Sequence, residues 1–221
     1  MASLRTLFSG FVALAILSLL PPLNAGAQGL PRVEHQKVYT VEQHVPLGRT
    51  VDLHDQFGLE HTVIQQLDFF SNPVDQNHEG LQDTLVHFSW WRIFDTLPRP
   101  SRRLLVSNKL GADQEWVIRT PTHLLTPAIK NEVGPGAPEG GLPPPPTHVN
   151  HFKCYQAESG PRIDRPLILE DQFGIRTAVV DTAFCFCTPV EKVLPDGIRY
   201  PIVDPETHLA CYLISPSLHY G

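Results

Sequence analysis

The sequence predicts an all-β fold, an antiparallel sandwich or partly closed barrel built from internal repeats, and three observations carry that prediction. Residues 51–58, Val-Asp-Leu-His-Asp-Gln-Phe-Gly, return as Leu-Ile-Leu-Glu-Asp-Gln-Phe-Gly at 167–174, an offset of 116 (171 − 55). Twenty-two prolines and fifteen glycines among 221 residues break the chain too often for long helices. Apolar and polar residues alternate on both sides of the repeated block, as they do in a half-buried hairpin.

The first element is a leader. Arg5 precedes an apolar run from Leu7 to Leu20, and Ala25-Gly26-Ala27 offers small residues for cleavage before Gln28. Residues 1–27 therefore read as a secretory signal peptide, too short in its apolar run for the ~20 residues of a bilayer span. Cleavage leaves 194 residues (221 − 27), and losing Arg5 moves the net charge from −6 to −7. A chain of this negative net charge is a poor partner for nucleic acid or an anionic membrane surface.

The first copy, residues 28–131, starts with His35-Gln-Lys-Val-Tyr39, a strand that puts His35, Lys37 and Tyr39 on one face and Val38 on the other. Val51 to His54 then runs into the turn block Asp55-Gln-Phe-Gly58, where Asp can bond the backbone two residues on and Gly58 can take a positive φ. Phe57 is expected to fold onto the core. Thr62-Val-Ile-Gln leads away to Asn72-Pro73-Val74.

The same sequence of parts then recurs. His87-Phe-Ser-Trp-Trp91, Asn108-Lys-Leu-Gly111 and Thr126-Pro127-Ala128 form a second unit. Residues 132–148, with Gly-Pro-Gly, Gly-Gly and four consecutive prolines, make a stiff linker. The second copy, 149–221, holds a third unit, His151 to Tyr155, Asp171 to Gly174 and Thr188-Pro189-Val190, and the opening of a fourth, His208-Leu-Ala-Cys-Tyr212. Asp171, Gly174 and Phe173 are expected in the same turn, and the same burial, as Asp55, Gly58 and Phe57. Units of about 50 residues at this spacing are duplicated supersecondary pieces that share one core.

The run His-Phe-Lys-Cys-Tyr (151–155), Asp-Gln-Phe-Gly (171–174), Phe-Cys-Thr-Pro-Val-Glu-Lys (186–192) and His-Leu-Ala-Cys-Tyr (208–212) resembles a domain of unknown function in secreted bacterial proteins. Asn108 to Gly111 and Leu124-Leu-Thr-Pro-Ala128 resemble that family's Asn-Gln-Phe-Gly turn and Leu-Leu-Val-Pro-Ser segment. The resemblance implies an extracellular or periplasmic β-rich module without an assigned activity, and it carries over no catalytic residue.

The remaining chemistry is sparse. His148 with His151, or the four unit histidines, are the natural metal ligands, yet no Cys-x-x-Cys or His-x-x-x-His spacing supports a centre. Ser107, Ser159 and Ser215 lack a Gly-x-Ser-x-Gly context. Asp55, Asp171, Asp181, Glu191 and Asp204 could supply a glycosidase pair, and Trp90, Trp91 and Trp116 a sugar platform. Neither set converges by spacing. No catalytic residue and no cofactor is expected, and the expected partner is an unidentified extracellular ligand or protein. The function expected is a secreted, non-catalytic structural or interaction module; the alternative is a carbohydrate-binding or hydrolytic domain using a cleft between the copies.

All four cysteines, Cys154, Cys185, Cys187 and Cys211, lie in the second copy. The corresponding first-copy positions are Val38, Phe69, Ser71 and Trp90, so all four change together, as bonded partners would. Two disulfides are expected, with Cys154 and Cys211 each reaching one member of the Cys185/Cys187 pair, because residues two apart on one strand are poorly placed to bond each other.

Overall fold

The computed structural model describes residues 13–18, 33–42, 46–95, 99–131 and 142–216. Most of the expected leader and part of the linker lie outside these residues. The described residues form thirteen strands in one sheet and no helix. They are β1 (Ala13–Ser18), β2 (Gln36–Thr40), β3 (Pro46–Asp55), β4 (Gly58–Pro73), β5 (Asp75–Gln76), β6 (His87–Phe94), β7 (Arg102–Asn108), β8 (Gly111–Ala128), β9 (His151–Ser159), β10 (Arg162–Asp171), β11 (Gly174–Val193), β12 (Arg199–Tyr200) and β13 (Leu209–Pro216).

All the pairings are antiparallel, and they trace a ring, β13-β1-β2-β4-β6-β8-β9-β11, with β11 returning to β13. The strands of both copies therefore share one sheet, and β8 meets β9 across the linker. The last strand, β13, has partners on both sides, β11 and β1.

Three strands are unusually long, at 16, 18 and 20 residues, because each serves two structures. β4, β8 and β11 begin in hairpin arms with β3, β7 and β10, then bend into the ring. The bends fall at equivalent places. Register shifts occur around Leu67, Pro121 and Ala183, each between an aliphatic residue three positions before and a ring-lining residue two positions after. An extra residue in one strand bends it and steepens its twist, which lets one strand turn from arm to ring. Pro73, Pro127 and Pro189 sit at the far ends of these strands, opposite Gln36, Phe88 and Phe152.

Alternation within the unit strands divides the core. The fourth residue of the first unit, Val38, and the second and fourth of the other three, Phe88 and Trp90, Phe152 and Cys154, and Leu209 and Cys211, join Leu125, Cys185 and Cys187 in one buried cluster drawn from all round the ring. The opposite face lies under the arms: Tyr155, Ala210 and Tyr212 pack with Trp116, Ile118, Leu167, Leu169 and Val180. A smaller cluster of Val51, Leu53, Ile64, Ile93, Leu124 and Val190 lies beneath the β3–β4 arm.

The turn blocks form tight hairpins in which Asp55 pairs with Gly58 and Asp171 with Gly174. Phe57 N donates to Asp55 Oδ1 at 2.9 Å, Phe173 N to Asp171 Oδ1 at 3.0 Å, and Leu110 N to Asn108 Oδ1 at 2.8 Å. Gly58 and Gly174 adopt φ of 119° and 102°, which an L side chain resists. The expected burial of both phenylalanines is corrected. Phe57 is half-buried, between the edge of Tyr155 and the guanidinium of Arg102, whereas Phe173 is 61% exposed. Phe173 rests against Tyr39, with the Lys130 ammonium 5.8 Å from its ring, and it is not among the side chains packed on the buried cluster that Phe57 joins. Leu110, its counterpart in the second unit, is the turn residue that reaches the core.

Cys154 and Cys187 are directly opposite on β9 and β11 and are disulfide-bonded. The second expected bridge is not formed: Cys185 and Cys211 are buried free thiols. They are nonetheless cross-strand partners on β11 and β13, and Cys211 Sγ stands 3.8 Å from Cys187 Sγ. In an oxidising compartment this pair is placed to close, adding on the order of 2–4 kcal/mol. Free-thiol titration of the denatured, unreduced exported protein is expected to find none; two would leave Cys154–Cys187 as the single bridge.

Candidate functional site

The most concentrated polar chemistry lies where each turn block meets a unit strand, and it joins the two copies reciprocally. Asp55 of the first copy accepts hydrogen bonds from Tyr155 Oη (2.6 Å) and Thr188 Oγ1 (2.9 Å) of the second. Lys153 Nζ lies 3.4 Å from the same carboxylate oxygen and 3.0 Å from Glu60 Oε2. Asp171 of the second copy does the same for the first. It accepts from Tyr39 Oη, and Lys37 Nζ approaches to 3.5 Å. In both clamps the lysine ammonium sits 5.1 Å from the tyrosine ring centre, and the turn phenylalanine meets that ring edge-on at 5.2 Å.

Elementary electrostatics explains why these residue types recur together. A buried carboxylate needs donors and a countercharge, and the Lys-x-Tyr strand offers both from one face. Burial and the neighbouring carboxylate push both phenols well above the usual tyrosine range, so each remains a hydrogen-bond donor. The Asp55 clamp is the deeper one: the side chains of Asp55, Lys153 and Glu60 are at most 3% exposed. Arg99 reinforces it, pairing with Glu60 at 3.2 Å and Asp95 at 2.8 Å.

A third clamp joins the second unit to the fourth, where Asn108 Nδ2 donates to Tyr212 Oη at 2.8 Å. Each turn block thus grips the aromatic residue of the unit two places away. The second unit's own aromatic is Trp91, and its indole N–H donates to Thr126 Oγ1 at 3.1 Å. Thr126 is the counterpart of the Thr188 that bonds Asp55. A larger ring with its own N–H closes this unit directly, without an intervening Asp.

The unit histidines are structural in this geometry. His87 stacks on Phe70 and His208 on Phe186 at 5.5 and 5.6 Å, two equivalent pairs. Burial and nearby Lys130 push His87 down to about 4; burial and nearby Lys192 push His151 down to about 3, so both are neutral in the fold. His148 instead faces Asp83 at 3.4 Å. The other candidate carboxylates scatter: Asp181 pairs with Arg162, Glu191 with Arg199, and Asp204 caps the 204–207 turn. Trp90 and Trp116 are fully buried. Sequence reasoning missed Asp68, whose carboxylate binds Arg92 at 2.6 Å and His123 at 3.2 Å; burial opposes its charge, but these donors and Gln66 hold it below the usual carboxylate range. No motif signals it, because its partners come from three different strands.

Among the described residues two groups stand close enough together to share a metal ion. Cys154, Cys185 and Cys187 are buried, with two of the three sulfurs already bonded to each other. Asp75, His78 and Glu170 lie on the surface, with His78 Nδ1 3.8 Å from Glu170 Oε2. Next to this second group is a cleft of about 410 Å³ between Asn72, Asp75, Leu81, Thr84 and His87 of the first copy and Glu170, Asp171 and Gln172 of the second.

The model of a repeat of unknown function, DUF7450, matches residues 87–220, from the second unit's His87 through the fourth unit. The chain belongs to this family. No curated protein and no solved structure is found to match it.

Two outcomes are expected of this geometry. Asp55→Ala removes the acceptor of the buried Tyr155 and Thr188 hydroxyls and one of the two carboxylates beside Lys153, and costs about 3–5 kcal/mol in denaturant unfolding, while Asp171→Ala costs less because Lys37 lies nearer to water. A double-mutant cycle of Asp55→Ala with Tyr155→Phe should show coupling between the two copies. The pH dependence follows from His87 and His151. Their pKa values are depressed in the fold relative to 6.5, so the unfolded chain binds more protons between pH 6.5 and about 4. Their contribution is complete above pH 6.5 and is lost as the pH falls; thermal midpoints should drop over that range, and His151→Gln should flatten the drop.

Proposed function

We propose that the chain is exported, loses residues 1–27, and serves outside the cytoplasm as a non-catalytic structural or interaction module. The observation that supports this reading best is the reciprocal clamp. The residues that the repeats keep in common, Asp, Lys and Tyr, bond one another and join the two copies, so their polar groups are engaged in the clamps. Maintaining two copies in one rigid sheet is what that chemistry does. The bonded Cys154–Cys187 pair suits an oxidising compartment.

A second reading, a carbohydrate-binding or hydrolytic domain, is supported by the cleft between the copies, which brings Asp75 and Glu170 to one surface. Calorimetric titration with oligosaccharides separates the two: heat of binding that Glu170→Ala abolishes favours the cleft, and its absence favours the module. Export is tested by expressing the full chain in a bacterial host and weighing the product outside the cytoplasm. The expected mass begins at Gln28, and a product that retains Met1 and remains in the cell would refute export.

A further inference from the structure

The strand β1 comes from the apolar run that the export reading removes, yet in the full chain it occupies a place in the ring. Its backbone pairs with β13 at six positions, from Ala13–Ile214 to Ser18–Leu209, and with β2 at three, from Leu14–Val38 to Ile16–Gln36. Among the described residues no other strand joins β2 to β13. Strands lie ~4.8 Å apart, so taking β1 away leaves a slot about 10 Å wide between two edges whose backbone N–H and C=O groups lose their partners. The slot is apolar along β13, from Leu209 to Ile214, and mixed along β2, where Gln36, Lys37 and Val38 stand opposite β1. Val38, Leu209 and Cys211 belong to the buried ring cluster, and Leu213 packs against it.

We infer that the mature domain is a strand acceptor: the slot between β2 and β13, opened by removal of the leader, takes up an extended apolar segment from a different exported protein. The inference rests on the export reading for its biology, but the slot itself rests on the pairings. The occupant's chemistry is set by the strand seated there in the full chain. Ala-Leu-Ala-Ile-Leu-Ser is six residues long, alternates small and large apolar residues at its start, contains no proline and runs antiparallel to both neighbours. Strand addition of this kind draws affinity from main-chain hydrogen bonds and specificity from alternate side chains. A second copy is the poorer donor. Every described strand of the mature chain already has a place in the sheet, and the stretch 132–141 is rich in proline and glycine.

The test uses the chain beginning at Gln28 and a synthetic peptide of residues 11–18 carrying terminal lysines for solubility. One peptide is expected to bind per chain, to raise the thermal midpoint as its concentration rises, and to slow amide exchange along Leu209–Ile214. A peptide with Ala15→Pro, which cannot complete the ladder, should bind about tenfold more weakly or worse. The full chain, whose slot is filled by its own β1, should not bind. Lack of saturable binding overturns the inference, as does equal binding by the full chain or a β13 edge already protected in the mature chain. Self-association of the mature chain through the same edge would name a second copy as the occupant and also overturn it. Because the binding chain is made directly, its failure is distinct from a failure of export, which the mass of the exported product reports.

Discussion

A carboxylate buried at the tip of one hairpin, bonded to a phenol and a lysine on a strand about a hundred residues away, is the contact on which the rest of this structure depends. Asp55 reaches Tyr155 and Asp171 reaches Tyr39, so each copy's clamp tyrosine is bonded to the other copy's aspartate. The carboxylates cannot stay buried without those donors, and the arms that carry them cannot lie over the ring without the carboxylates being buried. This one requirement fixes how the arms fold back and keeps both copies in a single sheet. It also gives a reason for the length of β4, β8 and β11, which must reach from the clamped tip, through a bend, into the ring.

Much of this was legible in the sequence. The period of the repeat, the Asx turns with their glycines and the absence of helix all follow from local rules, because the atoms involved are neighbours in the chain. The choice of clamp partner does not. Asp55 is followed by the same residues as Asp171, and Tyr39 is set in the same pattern as Tyr155, so nothing local says that the contact crosses between copies. The exposure of Phe173 was hidden for the same reason. Its sequence context matches that of Phe57, and the difference is made by tertiary packing: Phe57 rests on the buried cluster under the arms, with Arg102 over its ring, and Phe173 does not.

The cysteines lie between these cases. Their replacement as a set was visible by comparing copies, and one bridge, Cys154–Cys187, joins the strands expected. In the first copy Phe69 and Trp90 meet edge to face at 6.2 Å in the same buried cluster. Cross-links and aromatic packing are thus alternative ways to hold one ring together. The Asp68, Arg92 and His123 group could not be read ahead of the structure, since three strands must assemble before its members meet.

The direction of the clamps has a consequence for how such a chain could arise. A single copy contains a turn that needs a tyrosine strand and a tyrosine strand that needs a turn, yet the geometry keeps the two apart within that copy. Two molecules of it, facing each other, satisfy both needs at once. The two-copy chain has the plan of a symmetric dimer whose subunits have been joined end to end. The second unit departs from that plan, with Trp91 closing on Thr126 where Tyr39 and Tyr155 each meet the other copy's aspartate.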